Sequence, residues 1–233
     1  MKVSVVIPAY NEEKYIKKCL TSLQKQKEKA DEIIVVDNNC SDKTISIAKQ
    51  FSVSIVKEAR QGIIFARNSG FNAARYDIIA RCDADTILPT DWITRIKKNF
   101  DKSKIDALTG PIILYDTILK TNKIAIRYFY FMKLIQKGME TLVGPNMALS
   151  KKMWDKVKDK VCLDDTKVHE DIDLAIHILE EDGIIKRDNH LTVKASGRRM
   201  KNNPISFFTE YPLRLVKTFQ NHQLPILLGK HLF

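Results

Sequence analysis

Three short apolar runs, each stopping abruptly at a polar loop that carries carboxylates, constrain the fold of this chain more than any other feature. Val3, Val5, Val6 and Ile7 lead into Pro8, Ala9, Tyr10, Asn11, Glu12 and Glu13. Ile33, Ile34, Val35 and Val36 lead into Asp37, Asn38 and Asn39, and residues 77–81 lead into Cys82, Asp83, Ala84 and Asp85. Short runs rich in β-branched residues read as buried strands. The first two are followed by helical spacing, with Tyr15, Ile16, Cys19, Leu20 and Leu23 after one and Ile45, Ile47, Ala48 and Phe51 after the other. Repeated βα units with right-handed crossovers build a parallel sheet whose loops open on one carboxyl edge. Polar groups from distant parts of the chain converge there, in the crevice where open α/β sheets bind ligands. At 233 residues and 44% hydrophobic content the chain can bury a full core as one domain.

Asp83 and Asp85 stand close together at the third strand end. Two anions that close repel unless something positive lies between them, and hard oxygen donors beside a phosphate suit Mg²⁺ or Mn²⁺. Short acidic pairs also cap helices and fill solvated turns, so the tetrapeptide Cys82-Asp83-Ala84-Asp85 alone leaves both readings open.

Cys19, Cys40, Cys82 and Cys162 are scattered without a close-spaced metal pattern, which fits a reduced, cytoplasmic setting. Met1 leads directly into the first strand, and no apolar stretch reaches the roughly 18 residues of a spanning helix. The expectation is a chain with neither signal peptide nor membrane span. A net charge of +11 points to an anionic partner or to a lysine-rich solvated surface, as for the lysines between Lys14 and Lys29. Nucleic acid is disfavoured because the basic residues are spread out and no zinc-finger or aromatic recognition signature is present.

The motifs, taken in order, resemble the family 2 glycosyltransferases of the GT-A fold: residues 5–12, then Val35, Val36 and Asp37 with Ser41 to Thr44, then Ala66 to Gly70, then Asp83-Ala84-Asp85, then Glu170-Asp171. The resemblance covers about residues 1–175. It implies an α/β fold with a mostly parallel sheet flanked by helices, and a nucleotide-diphospho sugar held by Pro8, Tyr10, Glu12, Asp37, Arg67 and Asp83. A ring against the base and a carboxylate on its N–H suit uridine, favouring a UDP-sugar with a GDP-sugar as the alternative. Asp85 is implied as the direct ligand of Mn²⁺ or Mg²⁺, with Asp83 binding it through water or holding the ribose. Asp171 is implied as the general base of an inverting transfer, and Asn146 and Glu170 as residues on the acceptor and donor-sugar side. Bland readings stand beside these: a packed turn for Tyr10, a cap for Asp37, a salt bridge for Arg67 and helix capping for Glu170 and Asp171.

The expected organisation is a catalytic domain over 1–203, with a nucleotide-sugar half at 1–115 and an acceptor half at 116–203, followed by an amphipathic helical extension at 204–233. Ser196 to Arg199 are expected to close over the diphosphate with Gly197 as a hinge, whereas His190 reads better as a surface residue. Residues 124–135 are aromatic and apolar but broken by Arg127 and Lys133, and the run from Pro204 through Leu224, Ile226 and Leu228 combines apolar and basic residues. Both suit peripheral attachment to an anionic membrane, and hence a lipid-linked or saccharide acceptor in cell-envelope glycan or glycolipid synthesis. A sugar nucleotidyltransferase is the rival enzyme, but such proteins present a glycine- and basic-rich phosphate loop where this chain has Pro8 to Glu13. A non-catalytic nucleotide or polyanion module is the rival outside enzymes.

Overall fold

The computed structural model describes residues 1–117, 122–135, 138–202 and 204–222. Its first half runs β1 (Val3–Ala9), α1 (Ile16–Gln24), β2 (Glu32–Asp37), α2 (Thr44–Ala48), β3 (Ser54–Lys57), α3 (Ile63–Ala73), β4 (Ile78–Arg81) and α4 (Trp92–Lys102). The second half continues with β5 (Ala107–Thr109), β6 (Ile112–Leu114), α5 (Asn122–Ile135), β7 (Met147–Ser150), α6 (Lys151–Val157), α7 (Glu170–Glu180), β8 (Ile185–Arg187), β9 (Val193–Ala195), α8 (Arg198–Asn202) and α9 (Pro204–Asn221). A seven-stranded sheet has the order β3-β2-β1-β4-β7-β5-β8, and β6 pairs with β9 in a separate ribbon. The β1–β2, β1–β4, β2–β3 and β5–β8 pairs are parallel, whereas β7 runs antiparallel between β4 and β5. This is the expected mostly parallel sheet flanked by helices, with a helix at its C-terminal end.

Alternation along the strands sorts the core into two layers. Val5 and Ile7 face one layer with Ile16 and Leu20 of α1 and Trp92 and Ile96 of α4. Val6 faces the other, with Phe71 of α3, Trp154 of α6 and Leu174 of α7. Phe71 and Trp154 meet edge to face with centroids 5.1 Å apart. Within α3 only glycine fits at position 70, because a Cβ there would lie 2.3 Å from Val6 Cγ1 and 2.8 Å from Val36 Cγ2. That close approach seats α3 on β1 and β2. The second helix is shorter than the sequence spacing suggests: α2 stops at Ala48, and Phe51 packs on the core from the loop beyond it.

A small third cluster joins the last helices, with Met132 of α5, Ile172 and Ile176 of α7, and Phe219 of α9. The aromatic segment at 124–135 is therefore a helix with one face buried, while Tyr130, Phe131 and Leu134 remain exposed. The Tyr128 side chain and residues 223–233, including the apolar run from Leu224, lie outside the described residues. No described helix is long and apolar enough to cross a membrane.

Candidate active site at the carboxyl edge of the sheet

Parallel pairing of β1 with β2 sets Ala9 opposite Asp37, so both following loops leave the same edge. They are stitched together: the Glu12 amide donates to Thr44 Oγ1 (2.6 Å), the Glu13 amide to Asp42 Oδ2 (3.0 Å) and the Ser41 amide to Asn11 Oδ1 (2.9 Å). Asn11 holds a left-handed φ of 53°, which a short polar side chain tolerates. Pro8 is buried within β1. Tyr10 is 52% exposed, with its ring open to a planar partner. Asp37 Oδ1 accepts from the Cys40 amide (2.9 Å), which makes it the cap of its own turn.

β4 delivers Asp83 and Asp85 to the same edge, in a turn closed by the Thr86 amide on the Asp83 carbonyl (3.0 Å). Arg198 Nη2 lies 3.6 Å from Asp85 Oδ2. Its guanidinium also forks onto both Glu12 oxygens and lies 4.5 Å from the centre of the Tyr15 ring. Two carboxylates from remote parts of the chain thus converge on one positive charge. The loop that carries Arg198 is fixed by Asp116, which accepts from Ser196 Oγ (2.7 Å) and the Gly197 amide (2.5 Å). Position 197 takes glycine for close packing, since a Cβ would lie 2.3 Å from Thr117 Cγ2.

Behind Asp83 lies a buried ionic cluster. Arg67, expected to reach a nucleotide, is instead fully buried, and its Nη1 donates to Glu170 Oε2 (2.6 Å) and to the Glu170 carbonyl (2.7 Å). Arg81 Nη1 donates to the other Glu170 oxygen, and its Nη2 to Asp83 Oδ1 (3.1 Å). Glu170 therefore spends both oxygens on two arginines. Gly144 completes the enclosure, because a Cβ there would come within 2.8 Å of Arg81 Nη2.

Asp171 opens α7 beside this cluster. Its Oδ2 accepts from the Gly144 amide (2.9 Å), and its Oδ1 meets His169 Nδ1 (2.5 Å). Burial by itself would raise the Asp171 carboxyl, but the His169 charge and hydrogen bond, the Gly144 amide and Arg81 together hold it below its ordinary value. Burial likewise opposes charge on His169, and Asp171 outweighs it, so the imidazole is raised above its ordinary value. Asp171 is thus an ionised, buried carboxylate.

Asn146, expected to touch a sugar hydroxyl, is fully buried. Its Oδ1 accepts from Trp92 Nε1 (2.9 Å), and its Nδ2 donates to the Leu191 (2.6 Å) and Pro111 (3.2 Å) carbonyls. The side chain braces the wall of the site. His190 is an exposed turn residue whose amide donates to Asp188 Oδ1 (2.9 Å), and the Arg199 side chain lies outside the described residues. Two residues that the sequence reading passed over are central. Arg81 was legible only as a charge ending a buried strand, and His169 only as a neighbour of the acidic pair.

The description "Glycosyl transferase family 2" matches residues 4–157. AglE of Haloferax volcanii, a glycosyltransferase, is 33% identical over 118 residues, covering 47% of this chain and 39% of AglE. YdaM, a probable glycosyltransferase of Bacillus subtilis, is 30% identical over 198 residues, covering 76% of this chain and 46% of YdaM. The chain spans less than half the length of either relative. Among solved structures, the mannosyltransferase PcManGT from Pyrobaculum calidifontis, in complex with GDP-Man and Mn²⁺, superposes with a TM-score of 0.76 at 19% identity, covering 95% of this chain and 64% of that one. Glucosyl-3-phosphoglycerate synthase from Mycobacterium tuberculosis, with Mn²⁺, UDP and glucosyl-3-phosphoglycerate, gives 0.68 at 18% identity over 97% of this chain and 81% of that one. This chain belongs to glycosyl transferase family 2 and has the GT-A fold.

The His169–Asp171 pair predicts a particular pH dependence of stability. A depressed carboxyl stabilises above its unfolded value and loses that contribution as pH falls through the folded one; a raised imidazole stabilises below its unfolded value and loses it as pH rises. Urea denaturation of the parent and of His169→Gln should therefore differ most between the ordinary values of 3.8 and 6.5, with the gap narrowing as pH leaves that window on either side. A gap independent of pH contradicts the ionised pair.

Proposed function

We propose that this chain transfers a sugar from a nucleotide-diphospho sugar to an acceptor hydroxyl, with inversion at the anomeric carbon. The observation that carries this reading is the unbroken contact path at one sheet edge from Asp83 through Arg81 to Glu170, which precedes the ionised base Asp171. Tyr10 stacks on the base and Asp37 Oδ2 accepts from its N–H, which suits uridine or a similar ring, with Pro8 and Glu12 beside the nucleoside. Arg67, Glu170 and Asn146 act by positioning, since each is committed to protein partners. Asp83 and Asp85 offer hard oxygen donors, and the guanidinium drawn to Asp85 and Glu12 shows that this corner favours positive charge. Asp85 with Asp83 would hold a divalent ion, Mn²⁺ or Mg²⁺ by donor chemistry, which would supply charge stabilisation for the departing diphosphate. Mn²⁺ accompanies GDP-Man in PcManGT.

Asp171 takes the acceptor proton as the hydroxyl oxygen attacks the face opposite the diphosphate. Among the described residues each of its oxygens makes one hydrogen bond, which leaves a lone pair for the substrate. Asp171→Asn should lower kcat with a UDP- or GDP-sugar about 10²- to 10⁴-fold while leaving donor Kd unchanged. Asp85→Asn should weaken donor binding only when the cation is present. Full turnover in Asp171→Asn, or in excess chelator, contradicts these roles.

The exposed apolar residues Tyr130, Phe131 and Leu134 of α5 and Leu213 and Val216 of α9 support an acceptor presented at an anionic lipid surface, as in cell-envelope glycolipid synthesis. Charge assists over only about 8 Å at physiological salt, so attachment is reversible. Anionic vesicles should pellet the protein at low salt and release it as salt rises. Protein that stays in the supernatant at low salt favours a soluble acceptor at a cytoplasmic site.

A further inference from the structure

A second group of ligating side chains lies on α7, turned away from the sheet edge. Asp173 follows Asp171 by two positions, which rotates it about 200° around the helix. It is buried, and its Oδ2 accepts from the Cys162 amide (2.9 Å). Its Oδ1 faces two imidazoles: His222 Nε2 at 2.9 Å, from the turn that ends α9, and His177 Nε2 at 3.7 Å, one helical turn further along α7. The rings meet edge to face, 4.8 Å between centroids.

The other nitrogen of each ring turns to one carboxylate. Glu180 Oε2 lies 2.7 Å from His177 Nδ1, and Glu180 Oε1 lies 3.5 Å from His222 Nδ1. A neutral imidazole with its proton on Nδ1 presents a bare lone pair at Nε2. With its Nδ1 proton given to Glu180, His177 would present its Nε2 lone pair on the side where Asp173 Oδ1 lies. Without an ion, an Nε2 proton of His222 donated to Asp173 Oδ1 meets the same geometry; with both ring protons on Nδ1, the Nε2 lone pairs and Asp173 Oδ1 converge on a position that suits a cation.

We propose that Asp173, His177 and His222 bind one transition-metal ion of the zinc class, with Glu180 orienting both imidazoles. Zinc bonds of about 2.0 Å to nitrogen and oxygen set a tetrahedral ligand–ligand edge of about 3.3 Å. The observed 2.9 and 3.7 Å separations bracket that edge, and one donor atom from each of the three residues lies within 4.8 Å of the others. Carboxylates on the distal nitrogens of ligating histidines, and a hydrogen bond to the ligating carboxylate, are the outer partners that such sites use. Glu180 and the Cys162 amide fill those places. Two imidazoles select zinc, cobalt or nickel over the Mg²⁺ or Mn²⁺ that suits an all-oxygen pair.

The ion would clip together helices whose ligands are 49 residues apart. Its consequence reaches the base, because Thr218 of α9 accepts the His169 amide (2.7 Å) two residues before Asp171. The site is a structural staple beside the catalytic helix.

The test uses the full chain, stripped with chelator, in an Asp85→Asn background that weakens the sheet-edge cation site. Titration with Co²⁺ should give intense visible ligand-field bands of a tetrahedral ion that saturate at one equivalent and are displaced by Zn²⁺, and Zn²⁺ should raise Tm. His222→Gln and His177→Gln should each abolish the bands, with folding checked by circular dichroism. X-ray absorption on the zinc-loaded parent should show two imidazole ligands at about 2.0 Å. Bands that persist in both variants, or a stripped parent that takes up neither ion, would overturn the proposal.

Discussion

Two fully buried guanidinium groups sharing one carboxylate form the interaction on which the rest of the site depends. Each ion removed from water costs several kcal/mol, and only good geometry with a partner offsets it. Arg67 and Arg81 would repel at this range if Glu170 did not stand between them. Since Arg67 lies on α3, Arg81 on β4 and Glu170 at the start of α7, none of these elements can shift without exposing a buried charge. The same constraint fixes Asp171, the next residue after Glu170, relative to Asp83, which Arg81 also grips. Gly144 is small because Arg81 passes beside it, and its amide then becomes available to Asp171. Placement of Asp171 and placement of the strand-end carboxylates are one event.

A parallel economy operates at the mouth of the site. Arg198, Glu12 and Asp85 come from three separate segments and compensate one another's charge. The Asp116 clamp on Ser196 and Gly197 aims the arginine there.

Much of the fold was legible in the sequence because β1, β2 and β4 are buried on both faces and read as near-continuous apolar runs, while α1 and α7 show helical spacing. β7 was not, since its four residues carry no period and its antiparallel placement follows from the sheet rather than from its own side chains. The roles of Arg67 and Asn146 were illegible for a related reason. Local spacing brings both to the site, but their partners lie 103 and 54 residues away, and only tertiary structure shows that those contacts engage the Nη1 of Arg67 and the side-chain amide of Asn146. His169 was hidden by its neighbours: two carboxylates after a histidine read as ordinary charges at a helix start until burial couples one to the ring.

The central claim is a single in-line displacement with Asp171 as base. The measurement that addresses it most directly is the anomeric configuration of the sugar first released when the protein hydrolyses a UDP- or GDP-α-linked sugar without acceptor, followed by proton NMR before mutarotation. Water then replaces the acceptor hydroxyl. One displacement predicts the β-anomer as the initial product; initial release of the α-anomer would contradict it.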